Sequence, residues 1–184
     1  MKILETDRLK LRSISLSDAE LLFKGWANDT ETMWFLPPYY NNKVDTVYKW
    51  IDECIDGFRR VKRDSWEMFA LVIKSSNEVI GIIELDKIDY VTRSAEAGYH
   101  LCKKWWGNGY AAEALRELLR FSFNELNLNR IHAAYDPRNP NSGRVMQKAG
   151  MLYEGTLRQC EMRNGVLVDR IYYAMLREDY LLNK

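Results

Sequence analysis

Histidine, cysteine and proline are scarce in this chain of 184 residues, which has two His, three Cys and four Pro. The cysteines, Cys54, Cys102 and Cys160, are scattered and odd in number, which predicts reduced, buried thiols rather than a disulfide framework. Neither the cysteines nor the histidines have the close spacing of a metal site, so no metal ligation is expected.

Net charge and long hydrophobic runs are missing as well. The 27 basic and 26 acidic residues leave a formal charge of +1, which argues against a general nucleic-acid or membrane-surface binder. No apolar run is long enough to span a bilayer, and Met1 to Arg8 lack a signal-peptide core, so a cytoplasmic protein is expected. The length predicts one domain over residues 1–184.

The spacing of apolar residues predicts an α+β domain built on one mixed sheet. Short connections place the strands between residues 69 and 101 in an antiparallel meander. A helical crossover makes the strand at 130–135 parallel to the strand at 95–101. The predicted strands are 8–12, 69–73, 79–85, 95–101, 130–135, 151–161 and 166–176, and the predicted helices start at Asp18, span about 44–61, run from the 107–109 loop to about 125, and span 142–149.

The tripeptide Gly107-Asn108-Gly109 lies between a predicted strand and a predicted helix. Two glycines one residue apart let the backbone turn sharply and aim several N–H groups at one point. The helix N-terminus adds unpaired donors and the positive end of its dipole. The loop is therefore expected to bind an anion, with a phosphate or pyrophosphate group favoured.

The loop alone leaves its ligand open. Residues 107–112 also fit the G-x-G-x-x-G/A dinucleotide pattern, but that fold needs successive βαβ units, and antiparallel strands precede the loop here. A nucleoside-triphosphate loop is excluded because no Gly-Lys-Ser/Thr follows. A glycine turn without a ligand is the structural alternative.

With its surroundings, the loop resembles the GNAT superfamily of acyl-CoA-dependent N-acyltransferases, whose signature is Q/R-x-x-G-x-G/A. Residues 104–109 match this signature, with Lys104 in place of Gln or Arg. The branch that the chain most resembles is the ribosomal-protein N-terminal acetyltransferase (RimJ/RimL-like) group. Further matching stretches are 5–12 with 18–19, 80–81, 95–99, 139–142, 148–150 and 154–155.

The resemblance implies a mostly antiparallel, seven-stranded GNAT sheet with helices on both faces and a splayed central parallel pair, 95–101 and 130–135. It also implies acetyl-CoA as co-substrate: the loop N–H groups hold the pyrophosphate, and the opened strand edge holds the pantetheine arm and polarises the thioester carbonyl. The coenzyme A residues it implies are His100, Leu101, Lys104, Trp105, Trp106, Gly107, Asn108, Gly109, Tyr110, Ala111, Asn139 and Ser142.

The resemblance further implies direct attack of an amine on acetyl-CoA, assisted by a general base and a general acid. Met146 occupies the position where many members carry a tyrosine acid. The RimJ/RimL-like branch instead points to Ser142 as the acid that protonates the thiolate and to Glu161 as the base that takes the amine proton. The alternatives are that Ser142 only caps a helix, that Glu161 only faces water, that Glu96 is the base, and that the aromatic segment 34–40 is core rather than a wall of the acceptor pocket.

The acceptor is left open between a protein N-terminal amine and a small amine such as an aminoglycoside, a polyamine or an amino sugar. No nucleic acid or membrane partner is expected, and a homodimer is compatible with the aromatic content. A non-catalytic acyl-CoA-binding or sensing module on the same fold is the alternative function. A nicotinamide-dependent oxidoreductase is the third and least favoured one.

Overall fold

The computed structural model describes residues 3–27, 35, 43–60 and 66–182 of the chain. Its strands are β1 (Ile3–Glu5), β2 (Leu9–Ser13), β3 (Glu67–Ile73), β4 (Val79–Asp89), β5 (Ser94–Leu101), β6 (Arg130–Tyr135), β7 (Leu152–Arg163) and β8 (Val166–Leu176). Its helices are α1 (Ala19–Leu22), α2 (Val44–Arg60), α3 (Tyr110–Asn124), α4 (Pro140–Lys148) and α5 (Arg177–Leu182).

The strands described form one mixed sheet of eight, in the order β1-β2-β3-β4-β5-β6-β8-β7. The predicted antiparallel meander and the parallel crossover are confirmed. The predicted number of seven strands is one too few, because β1 pairs antiparallel with β2. A strand of three residues is too short for alternation to be recognised in the sequence.

The centre of the sheet opens between β5 and β6. Their parallel pairing covers Ser94 to Glu96 opposite Arg130 to His132. Both strands continue beyond these pairs, β5 to Leu101 and β6 to Tyr135, without further pairing to each other. The expected splay is therefore present, and it leaves N–H and C=O groups on the facing edges of both strands.

Helices cover both faces of the sheet, as predicted. On one face, Leu115 and Leu118 of α3 pack in a cluster with Phe69 of β3. On the other face, Val47 of α2 packs with Met68, the neighbour of Phe69 in β3. Successive side chains of a strand point to opposite faces, so β3 contributes to both cores.

Helix α4 begins two residues earlier than predicted. Pro140 occupies its first turn, where a missing N–H costs nothing. Asn139 is the N-cap: its backbone oxygen accepts from the N–H of Ser142 at 3.1 Å, and its side-chain oxygen accepts from the same N–H at 3.4 Å. Ser142 therefore lies inside the first turn, and the alternative that it is the helix cap is wrong.

The other predicted features that differ are local. The helix expected from Asp18 is a short 3₁₀ turn, Leu16–Asp18, followed by α1 and a π-helical turn, Phe23–Ala27. Cys102 is buried as expected, but Cys160 is exposed on the edge strand β7. Within the residues described, no helix is long and apolar enough to cross a bilayer.

Candidate active site

The loop between β5 and α3 has the backbone shape that its glycines predicted. Gly107 and Gly109 adopt φ values of +79° and +81°, in the left-handed region, where an L-residue loses roughly 1–2 kcal/mol. The side-chain amide of Asn108 donates to the carbonyl oxygens of Trp105 and Trp106, at 3.2 and 3.1 Å. Asn108 thus stabilises the loop from within.

The start of α3 presents a row of backbone donors. The N–H of Glu113 donates to the carbonyl of Gly109 at 3.1 Å, and Gly109 is the N-cap of the helix. The N–H groups of Tyr110, Ala111 and Ala112 come before this first helical hydrogen bond and are available to an anionic ligand. All three residues line a cavity of about 340 Å³.

This cavity, here called the loop cavity, extends from residues 105–112 to helix α4, which lines it as far as Lys148. Every predicted coenzyme A residue lines it except Lys104 and Asn108. The residues of the prediction that line it are His100, Leu101, Trp105, Trp106, Gly107, Gly109, Tyr110, Ala111, Asn139 and Ser142.

The cations of the loop cavity are not the one predicted. Lys104 pairs with Glu78 at 3.2 Å, and its ammonium group lies 4.6 Å from the ring centroid of Trp105. Arg144 and Lys148 of α4 line the cavity instead. Their spacing of one helical turn was the sequence signal that could have found them.

A carboxylate in the first turn of α3 fixes the loop to the β1–β2 turn. Glu113 accepts from the hydroxyl of Thr6 at 2.5 Å, from the N–H of Arg8 at 3.0 Å and from Nε of Arg8 at 2.7 Å. A guanidinium nitrogen of Arg8 also donates to the carbonyl of Asn108 at 3.1 Å. Burial raises the pKa of Glu113, but the hydrogen bonds from Thr6 and Arg8 outweigh it and the net pKa is lowered.

Ser142 is held by a residue that the sequence did not single out. The hydroxyl of Tyr99, on β5, donates to the backbone oxygen of Ser142 at 2.8 Å and lies 2.9 Å from its Oγ. Burial raises the pKa of Tyr99 well above its ordinary value, so the phenol stays protonated. The pair joins β5 to α4 across the splay.

A second cavity, of about 320 Å³, carries five carboxyl groups and is here called the carboxylate cavity. It shares wall residues with the loop cavity, and these residues lie around the splay. The carboxyl groups belong to Glu84, Asp86, Glu96, Asp136 and Glu161, and the shared residues are Phe35, Tyr99, His100, Asn139 and Ser142.

The carboxylate cavity includes the sheet face covered by α1 and α2. His100 is the register partner of Ile82, which packs in the core on that face. Tyr99, next along β5, packs in the core on the opposite face. Because His100 and Tyr99 line both cavities, each cavity receives side chains from both faces of the sheet, and the two cavities meet at the splay.

The predicted base Glu161 lines the carboxylate cavity between two arginines. Its oxygens accept from Nε of Arg163 at 2.6 Å and contact Nε of Arg170 at 3.3 Å. The alternative base Glu96 also lines this cavity and pairs with Lys87 at 2.6 Å.

The remaining candidate residues line one or both cavities. Burial, together with the charge of Arg163, lowers the pKa of His100 to about 4, so its imidazole is neutral at pH 7. Met146 is buried and lines the carboxylate cavity. Of the aromatic segment 34–40, Phe35 alone falls within the described residues; it lines both cavities, and its carbonyl accepts from Arg163 at 2.7 Å.

Among the residues that the structure describes, no group of three or more His, Cys, Asp and Glu side chains is arranged to bind a metal ion. The wall of the carboxylate cavity contains five carboxyl groups but only three lysine and arginine side chains, those of Lys87, Arg163 and Arg170, among the residues that line it. This excess of acidic groups favours a positively charged ligand.

Comparison with known proteins decides the family. Residues 8–152 match the model of the acetyltransferase (GNAT) domain. The chain belongs to the GNAT acetyltransferase family. As a GNAT protein with this match it is an N-acetyltransferase, and the predicted fold, the splayed strand pair and the glycine loop are those of this family.

Relatives of this GNAT chain match it over nearly its whole length. An uncharacterized N-acetyltransferase, p20, of Bacillus licheniformis is 32% identical over 183 residues, covering 98% of this chain and 99% of the relative. The structure of a GNAT-family acetyltransferase from Bacillus anthracis has a TM-score of 0.84 and 26% identity, covering 96% of this chain and 99% of that one.

A third comparison concerns the branch and the co-substrate. Mycobacterium smegmatis RimJ, solved in complex with a CoA-disulfide, superposes with a TM-score of 0.83 at 24% identity, covering 93% of this chain and 83% of that one. This likeness establishes the shared fold. It agrees with the RimJ/RimL-like resemblance read from the sequence motifs.

Proposed function

We propose that this protein transfers an acetyl group from acetyl-CoA directly to a primary amine, with acetyl-CoA in the loop cavity and the amine in the carboxylate cavity. The observation that carries the proposal is the meeting of the two cavities at the splay between β5 and β6. A thioester that reaches the splay through the loop cavity meets an amine that arrives through the carboxylate cavity. Such an arrangement favours direct transfer without an acylated enzyme.

The loop cavity has the chemistry that coenzyme A requires. The N–H groups of Tyr110, Ala111 and Ala112 would bind the pyrophosphate, and the side chains of Arg144 and Lys148 would supply positive charge beside it. The open edge of β5 up to Leu101 would pair with the amides of the pantetheine arm, as an added strand does. A strand N–H at this edge would also polarise the thioester carbonyl.

The reacting amine must lose its charge before it attacks. A chain-terminal amine with a pKa of about 8 is roughly one-tenth neutral at pH 7, and a lysine amine with a pKa of about 10.4 is far less so. The resemblance implies that Glu161 is the general base, which takes a proton from the amine directly or through water. Ser142 would protonate the leaving thiolate, and Tyr99 supports its hydroxyl at 2.9 Å.

The carboxylate cavity favours a cationic amine as the acceptor, because its acidic groups attract an ammonium ion. We retain both acceptor classes, a protein N-terminus, which is consistent with a RimJ among the structural neighbours, and a small amine. The cytoplasmic location and the single domain over residues 1–184 stay predictions.

Thiol release from acetyl-CoA, measured across peptides, aminoglycosides, polyamines and amino sugars, tests the proposal. At least one amine is expected to stimulate release well above the rate without amine. Tight coenzyme A binding without release for any amine would favour the acyl-CoA sensor instead.

Two variants test the catalytic residues that the resemblance implies. E161Q is expected to cut turnover at neutral pH with little change in acetyl-CoA binding, and S142A is expected to slow thiolate departure. Turnover at the wild-type level in E161Q would remove Glu161 from the mechanism.

A further inference from the structure

Glu84 differs from the other glutamates of the carboxylate cavity in its bonding. Glu96 pairs with Lys87, and Glu161 pairs with two arginines. Glu84 accepts a hydrogen bond from the indole N–H of Trp66 at 3.0 Å. Within the residues described, it forms no ion pair. A glutamate bonded to a neutral donor is free to exchange a proton with a ligand.

The position of Glu84 brings its carboxyl group to the splay. On β4 it is the register partner of Gly98 on β5. A Cβ atom on residue 98 would lie 2.9 Å from Oε1 of Glu84 and 3.1 Å from its Cγ. The carboxyl group therefore lies against β5 in the space that the missing side chain leaves. The next two residues of β5, Tyr99 and His100, are walls of both cavities.

We propose that Glu84 is a catalytic residue of the acetyl transfer, the group that takes the first proton from the acceptor ammonium. The proposal rests on the proposed function, because it needs an amine in the carboxylate cavity. It adds a carboxyl group to the two, Glu161 and Glu96, that the sequence brought forward.

The proton balance requires two acceptors at the nitrogen. The ammonium first gives a proton to Glu84, and the neutral nitrogen then forms the C–N bond with the thioester carbonyl. The second proton leaves the tetrahedral intermediate to Glu161. The C–S bond breaks, and the thiolate takes a proton from Ser142, which regains one from Glu161 through water. Glu84 finally releases its proton to solvent, so the reaction yields amide, thiol and one proton.

The surroundings of Glu84 raise the pKa of its carboxyl group into the range that suits a general base. Burial raises the pKa of Glu84 to about 7; the hydrogen bond from Trp66 opposes this rise, and the negative charges of Asp86 and Glu96 add to it. A base with a pKa near the working pH combines an ionised resting form with useful basicity. The other charged or titratable groups of the cavity are Lys87, His100, Tyr99, Tyr135, Asp136, Glu161, Arg163 and Arg170.

The test is the pH profile of kcat/KM for an amine that the wild type acetylates. In the wild type, kcat/KM is expected to fall below about pH 7, as Glu84 becomes protonated. E84Q is expected to lower kcat/KM by about 100-fold and to remove this fall, with coenzyme A affinity unchanged. The matched control is E154Q, since Glu154 pairs with Arg130 outside the cavity; it should keep the wild-type profile.

Two further variants shift the profile in opposite directions and do not depend on E84Q folding. W66F removes a donor that stabilises the carboxylate, so the fall should move to higher pH by about half a unit or more. E96Q removes a negative neighbour and should move the fall to lower pH.

Activity of E84Q within threefold of the wild type, or a fall in kcat/KM that neither W66F nor E96Q moves, would overturn the role of Glu84 while acetyl transfer stands. A wild type that acetylates no amine overturns the proposed function itself, and the role of Glu84 with it.

Discussion

Replacing Tyr99 by Phe removes the hydroxyl that supports Ser142 and leaves the ring in place. In the native protein this hydroxyl contacts the backbone oxygen of Ser142 at 2.8 Å and its Oγ at 2.9 Å. Without it the Ser142 hydroxyl loses a fixed partner and can rotate away from the leaving thiolate. Y99F should therefore act on the chemical step rather than on acetyl-CoA binding.

The expected loss of turnover in Y99F is worked from the loss of one neutral hydrogen bond. Such a bond contributes about 1 kcal/mol net, and a change of about 1.36 kcal/mol alters a rate tenfold. The turnover of Y99F should fall about three- to tenfold, with KM for acetyl-CoA within about twofold of the wild type. The melting temperature should fall by about 2–4 °C, the shift that 1 kcal/mol produces in a chain of this size.

Steady-state kinetics with thiol detection provides the assay, and a double-mutant cycle provides the control. If Tyr99 acts through Ser142, Y99F should have no further effect on turnover in the S142A background. Y153F is the matched control, because Tyr153 is exposed and its hydroxyl contacts Thr156 at 3.3 Å. Unchanged turnover in Y99F, an equal loss in Y153F, or full additivity with S142A would refute the positioning role.

Further predictions concern the loop cavity and its support. R144A should weaken coenzyme A binding by about tenfold in calorimetry, because a charge-assisted contact is lost. K104A should weaken binding less than R144A does. A larger loss in K104A would indicate that Lys104, rather than Arg144, is the cation that binds coenzyme A. G109A should also weaken coenzyme A binding, since φ is +81° there and a side chain adds about 1–2 kcal/mol of strain. An unchanged affinity would contradict the role of this loop in binding the pyrophosphate. E113Q should lower the melting temperature at pH 7. Folding lowers the pKa of Glu113, so the stabilisation by its carboxylate is present above the unfolded pKa of about 4.3 and is lost as pH falls through the folded pKa. The difference in melting temperature between E113Q and the wild type should therefore shrink in acid. A difference that stays constant with pH would contradict this.

Most of the sheet could be predicted because its strands and helices carry regular apolar spacing. The strand pairs of the meander, the parallel crossover and the extent of α2 all follow from that spacing and from short connections. Strand β1 and the start of α4 could not be predicted in the same way. The first is too short to show a pattern, and the second depends on Asn139 rather than Ser142 as the cap.

The parts of the candidate site that depend on backbone conformation could be predicted from the sequence. The parts that depend on which partner a side chain contacts were harder to predict. Gly107 and Gly109 predicted the turn because few other residues tolerate their φ values. Lys104 pairs with Glu78 rather than lining the cavity. Only the folded structure shows that the turn before β4, which carries Glu78, lies beside Lys104. Glu84 likewise depends on the register with Gly98, a contact across strands that sequence spacing does not supply.

The most direct test follows the acetyl group itself. Acetyl-CoA labelled in the acetyl group is incubated with the protein and with an amine that stimulates thiol release, and the label on the amine is compared with the thiol formed. Transfer at the junction of the two cavities predicts one labelled amide for each thiol, and a strong reduction of both in S142A and E84Q. Thiol formed without labelled amide, or label transfer at the wild-type rate in both variants, would contradict the account.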